Sequence, residues 1–174
     1  SNINFVLVDV LGQDEVGALA GVHTAGTTVI NNVHVQGRVK GSNANIGGLV
    51  GASYAAIKNC SSNIVMTTPS DSSVIGGLVG FADSASQILN SHAAGTITLG
   101  AAEFGVGGLV GTNRGIIRNS WANVDISGGD YLGGLIGRGS GGSYDVQFSY
   151  AVGDISGANH VGGFAGEITT GLTE

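Results

Sequence analysis

The chain has little of what usually anchors a small domain. Its one cysteine, Cys60, allows neither an intrachain disulfide nor a thiolate zinc site. Its one proline excludes a collagen-like helix, which needs proline in quantity as well as glycine. Charged residues make up 10% of the 174 positions, where an average soluble domain carries about 25%. The six Lys+Arg are outnumbered by twelve Asp+Glu, giving a net charge of −6 with no basic run. Phosphate recognition draws on clustered cations, so no nucleic-acid partner is expected. No stretch supplies the roughly 18 uncharged apolar residues of a membrane helix, so no membrane insertion is expected either. Disorder is excluded from the other side, because 42% of the residues are hydrophobic. No initiator Met or signal peptide opens the sequence, and Ser1-Asn2 reads as a scar of tag removal. The chain is read as one domain, residues 1–174, taken from a larger exported protein.

What the sequence does have is glycine, 33 residues of it, placed in a repeat. The string Ile46-Gly47-Gly48-Leu49-Val50-Gly51 returns as Ile75-Gly76-Gly77-Leu78-Val79-Gly80. It returns again as Val106-Gly107-Gly108-Leu109-Val110-Gly111 and Leu132-Gly133-Gly134-Leu135-Ile136-Gly137. Weaker copies begin at Val16 and Val161, with departures at Ala18, Phe164 and Ala165. The closing glycines Gly21, Gly51, Gly80, Gly111, Gly137 and Gly166 stand 26 to 31 residues apart. A second block follows each signature: Ile30-Asn31-Asn32-Val33-His34-Val35, Ile57-Lys58-Asn59-Cys60-Ser61-Ser62 and Ile88-Leu89-Asn90-Ser91-His92-Ala93. Ile117-Arg118-Asn119-Ser120-Trp121-Ala122 and Val146-Gln147-Phe148-Ser149-Tyr150-Ala151 complete the series.

The segments are short, rich in Val, Ile and Thr, and alternate with a period of two, which indicates strands. A unit of about 29 residues cannot bury an apolar face alone, but stacked units can. The sequence therefore predicts an all-β parallel solenoid, a β-helix of about six coils with one repeat per coil. At about 4.8 Å per coil the rod would be about 29 Å long. Right-handed winding is expected, as for β-crossovers generally. The paired glycines would permit positive φ or close approach of stacked backbones. Asn32, Asn59, Asn90 and Asn119 would form a corner ladder of stacked amides, broken by Phe148. Ser62, Ala93, Ala122 and Ala151 form a small inward column with Val35 as its larger member. Cys60 joins Val33, Ser91, Ser120 and Ser149 as a small buried thiol.

The recurring Gly-Gly-Leu-Val-Gly resembles the GLUG motif, a repeat found in large exported bacterial proteins that include surface adhesins and non-catalytic regions of some IgA1-specific metallopeptidases. That resemblance covers essentially the whole chain. It implies a secreted or cell-surface β-solenoid, with no catalytic residue carried over.

Residue chemistry points the same way. A carbohydrate lyase or hydrolase needs converging carboxylates. Among Asp9, Asp14, Glu15, Asp71, Asp83, Glu103, Asp125, Asp130, Asp145, Asp154, Glu167 and Glu174, only Asp125 and Asp154 share a column in adjacent coils. They are read as a solvated pair and as a weak candidate for calcium, which takes six to eight oxygen ligands. Asp9 falls beside Arg38 as a surface ion pair. His23, His34, His92 and His160 lack metal-ligand spacing, so no metal or other cofactor is expected. No nucleophile elbow is present, and Gly137-Arg138-Gly139-Ser140-Gly141-Gly142 is read as a flexible corner, not a phosphate loop. Thr96 and Thr98 do not extend into the threonine array of an ice-binding face. One outward column, Phe5, His34, Ser61, His92, Trp121 and Tyr150, collects rings that can stack on sugars or a partner protein. Trp121 and Tyr150 are the pair expected to carry such a contact, unless loops or a neighbouring domain cover them.

The expectation is a non-enzymatic segment of a bacterial surface adhesin that binds glycan or a host or bacterial surface protein, joined to flanking domains of its own chain. Two alternatives stay open: a carbohydrate-active β-helix centred on Asp125 and Asp154, or a structural spacer of a secreted protease.

Overall fold

A computed structural model describes residues 3–68, 74–100, 104–141 and 144–169. Asp71, Glu103, Gly142 and Glu174 lie outside them. The described residues form 23 strands and no helix, in four parallel sheets of seven, six, five and five strands. No helix among them is long and apolar enough to cross a membrane.

Each coil runs through four faces. The long face carries Ile3–Leu11, Val33–Lys40, Ser61–Thr68, His92–Leu99, Trp121–Ser127 and the divided pair Tyr150–Val152 and Ile155–Ser156. Next comes a short strand such as Ile46–Gly47 or Val74–Gly76, then a four-residue strand such as Val50–Ser53, then a three-residue strand such as Ala56–Lys58. The chain makes about five complete turns, because a sixth coil begun at Tyr150 shows no strand on the last face among the described residues. Six coils were expected. The difference comes from counting six signatures, whereas a full turn also needs the following block.

The Gly-Leu corners stand in a row. Each leucine amide donates to the equivalent carbonyl of the next coil: Leu19 to Leu49, Leu49 to Leu78, Leu78 to Leu109, Leu109 to Leu135 and Leu135 to Phe164, at 2.9–3.0 Å. The side chains of Leu49, Leu78, Leu109 and Leu135 are fully buried. The two glycines before each leucine serve separate contacts. A Cβ on Gly47 would stand 1.9 Å from the Val50 carbonyl oxygen within its own coil. One on Gly48 would stand 1.9 Å from the Gly77 oxygen of the next coil and 3.0 Å from Ser62 Cβ. Neither glycine has positive φ, so close approach, not left-handed backbone, is why glycine is needed here. The same contact explains the small column: Ala93, Ala122 and Ala151 each stand 2.9 Å from where a Cβ of Gly77, Gly108 or Gly134 would lie.

Left-handed backbone appears instead at the opposite corner. Asn32, Asn59, Asn90, Asn119 and Phe148 have φ between 49° and 56°, a region that asparagine tolerates better than other side-chain-bearing residues. The amide ladder is shorter than expected. Asn59 Nδ2 donates to Asn31 Oδ1, not to Asn32, at 2.9 Å, and Asn90 Nδ2 donates to Asn59 Oδ1 at 3.3 Å. A serine ladder beside it is more regular. The amides of Cys60, Ser91 and Ser120 donate to the hydroxyl oxygens of Ser91, Ser120 and Ser149. Those hydroxyls donate in turn to the carbonyls of Leu89, Arg118 and Gln147, each at 2.8 Å. Cys60 is buried and free, and burial pushes its thiol pKa up. The glycine string at Gly137 starts in strand Ile136–Gly139, paired with Val110–Asn113, so it is not a flexible corner along its whole length.

Two substitutions test this packing. Gly108→Ala places a methyl 2.1 Å from the Gly134 oxygen and is expected to remove about 3 kcal/mol in urea unfolding. Gly163→Ala, with nothing within 4 Å, is expected to change stability by less than about 0.5 kcal/mol. Phe148, 82% exposed at φ 50°, gains nothing from burial, so Phe148→Asn is expected to raise stability by about 1 kcal/mol in the same measurement.

Candidate functional site

The outward positions of the long face carry the chemistry that the interior cannot hold. Strand register aligns Asn4, His34, Ser61, His92, Trp121 and Tyr150 in one column. Phe5 does not belong to it, because Phe5 pairs with Val35 and Asn4 with His34. The cause is a β-bulge: Val6 and Leu7 together oppose Gln36, so the offset to the next coil is 30 residues up to Phe5 and 29 from Val8 on. Leu7, at φ 59°, takes the left-handed conformation there.

Within the column the rings contact one another. The His92 and Trp121 rings are stacked with centroids 4.2 Å apart and planes within 6°. Trp121 and Tyr150 are 6.1 Å apart with planes within 8°. His34 Nδ1 meets Ser61 Oγ at 2.7 Å, completing a line of polar and aromatic groups. The broad ring faces thus lie against each other, and a molecule along the column meets ring edges and polar tips. Tyr150, 54% exposed, ends the stack.

A second stack had no counterpart in the expected column. Tyr131 and His160, both left-handed at φ 53° and 52°, stack at 4.3 Å with planes within 6°. The Arg138 guanidinium lies 5.2 Å from the Tyr131 ring and pairs with Glu167. The available sequence signal was that Tyr131 and His160 each stand one residue before a Gly-Gly signature.

The acidic candidates Asp125 and Asp154 lie opposite each other in adjacent coils, between the pairs Asn123–Val152 and Ile126–Ile155. Asp125 Oδ1 accepts the backbone amide of Asp154 at 3.0 Å, so it completes the ladder where the strand divides. Among the described residues no three His, Cys, Asp or Glu side chains gather to hold a metal ion. Asp9 and Arg38 are register partners, but the ion pairs of the described residues are Arg118–Asp145 and Arg138–Glu167. Asp145 joins the carboxylates that matter structurally, through a one-coil step its sequence spacing did not reveal.

This geometry defines a parallel β-solenoid repeat protein with an open, ringed outer face. Residues 71–98 match the model of a family described as the GLUG motif, and the same signature recurs in the other coils. A 63-residue stretch is 46% identical to a Gly-rich membrane protein of Evansella cellulosilytica, covering 34% of this chain and 7% of that protein. No solved structure matches the chain.

Two histidines make stability sensitive to acid. His23, 8% exposed, is bonded by Ser53 Oγ and Thr28 Oγ1 at 3.2 Å, and burial lowers its pKa. Burial, then the charge of His34, lowers that of His92. The folded state therefore favours the neutral rings, and the unfolded chain binds more protons below the ordinary value of about 6.5. Their contribution is present in full above that pH and is lost as pH falls through it towards the lowered folded values. Unfolding midpoints measured from pH 7.5 to 5 should fall, and His92→Gln should flatten part of the slope.

Proposed function

We propose that this chain is a non-enzymatic segment of a bacterial cell-surface adhesin that presents its long outer face to a glycan or a host or bacterial surface protein. The observation that carries the reading is the His92–Trp121–Tyr150 stack, held in register on a backbone ladder. Stacked rings on a rigid sheet offer amphipathic contact area with little side-chain entropy left to lose on binding. The surface location is supported by the likeness to a Gly-rich membrane protein, of whose length the match covers 7%. Flanking domains of the same chain would carry the solenoid away from the cell, and the stiffness of parallel stacking suits that role.

The double variant Trp121→Ala, Tyr150→Ala tests the reading. Attachment to host cells and to a glycan array is expected to fall at least tenfold, while circular dichroism keeps the β spectrum and stability drops by about 1–2 kcal/mol. Unchanged attachment would favour a structural spacer. Release of oligosaccharide by the unaltered chain would favour a carbohydrate-active enzyme.

A further inference from the structure

The same face holds a second feature, at the other end of the strands. Two overlapping hollows of about 390 and 340 Å³ lie over the first three coils, lined by Leu7, Asp9, Arg38, Lys40, Val65 and Thr67. The bulge creates one wall: Leu7 leaves the ladder and stands 81% exposed. Val65, 48% exposed, supplies an apolar floor.

The polar groups are arranged for a ligand. Of the chain's six cations, Arg118 and Arg138 are held by carboxylates, Arg114 lies over the Phe81 ring, and Lys58 stands on another face, in strand Ala56–Lys58. Arg38 and Lys40 sit on one strand two residues apart, exposed, with no side-chain hydrogen bond or ion pair among the described residues. Asp9 faces Arg38 across the register and likewise has no bond among the described residues.

A fork of Arg38 donors with the Lys40 ammonium fits a carboxylate. A free carboxylate at Asp9 accepts hydroxyl donors, as Thr67 can, and Leu7 with Val65 meets the apolar face of a pyranose ring. One ligand class brings an anion, hydroxyls and an apolar ring face together: a carboxylated sugar. An acidic peptide offers the anion but neither the ring hydroxyls nor the apolar ring face. The column through Arg38 continues as Val65, Thr96 and Asp125. A carboxylate therefore stands three coils, about 14 Å, beyond the cation, which limits the acidic part of the ligand to a short stretch or a chain end.

We propose that this groove binds a uronic-acid residue of a glycan, with Arg38 and Lys40 on the carboxylate, Asp9 and Thr67 on hydroxyls, and Leu7 and Val65 against the ring. The proposal rests on the reading of the chain as a binding segment and gives that face a ligand class.

Calorimetric titration of the chain with tetragalacturonate, its fully methyl-esterified form and hexaglutamate tests it. Tetragalacturonate should bind, at least tenfold more tightly than the other two, and more weakly as salt rises. The variant Arg38→Ala, Lys40→Ala should weaken binding at least tenfold without altering the melting temperature. Leu7→Gly, which removes the wall and relieves a left-handed leucine, should weaken binding severalfold while the melting temperature holds or rises. Absent binding, equal binding of the ester or hexaglutamate, or full retention in the Arg38/Lys40 variant would overturn the groove. Loss in the Trp121/Tyr150 variant with retention in the Arg38/Lys40 variant would also overturn it, while leaving the adhesin reading intact.

Discussion

The amide-to-carbonyl bonds between successive coils, Leu49 to Leu78 and its repeats, set the scale of everything else. They hold equivalent residues one strand spacing apart, about 4.8 Å, so every side chain has its counterpart directly above and below. A position can then be filled only by groups that tolerate such neighbours. At the Gly-Leu corner the spacing leaves no room for a Cβ, since the next coil's carbonyl already occupies that place. Glycine there follows from distance. Facing it, Ser62, Ala93 and Ala122 stay small for the same reason, and Ser62 uses its hydroxyl to donate to the Gly77 carbonyl at 2.6 Å.

Inside the rod this periodicity makes columns chemically uniform. The isoleucines Ile57, Ile88 and Ile117 stack fully buried, as do Ile46 and Ile75. The serines that enter the interior are bonded along the axis in a ladder, because a buried hydroxyl without a partner is destabilising; the buried Tyr144 hydroxyl, which has no such partner among the described residues, is the exception. Outside, the same spacing turns chance neighbours into contacts. Rings stack, Arg118 reaches Asp145 one coil on, and Asp125 tolerates Asp154 by accepting its amide. Exposed ion pairs of this kind contribute little stability, about 1 kcal/mol or less each. They record register more than they enforce it. Outer columns can vary without disturbing the core.

The repeat was legible because it depends on residue types that have few substitutes: paired glycines before a leucine, and asparagine at a corner, with departures at Ala18, Phe164 and Phe148. Parity along the strands placed Val35, Ser62, Ala93 and Ala122 inward and His34, His92 and Trp121 outward. The start of the first strand, through Phe5, was placed one residue out, while Asp9 was placed correctly beside Arg38, because a bulge leaves no compositional mark; Leu7 is an ordinary leucine until its φ is known. Tyr131 and His160 escaped for a related reason, since they adjoin a segment whose length varies between repeats.

What the sequence alone determined is the solenoid itself, its strand order along the chain and the identity of its inner columns, because those follow from local pattern repeated at a fixed interval. Only the tertiary structure decided how the outer side chains meet. The ring faces of His92, Trp121 and Tyr150 close on each other, Arg38 and Lys40 stay free beside Asp9, and the bulge at Leu7 raises a wall next to them. These contacts join residues about thirty positions apart, and a single extra residue in one strand is enough to redirect them.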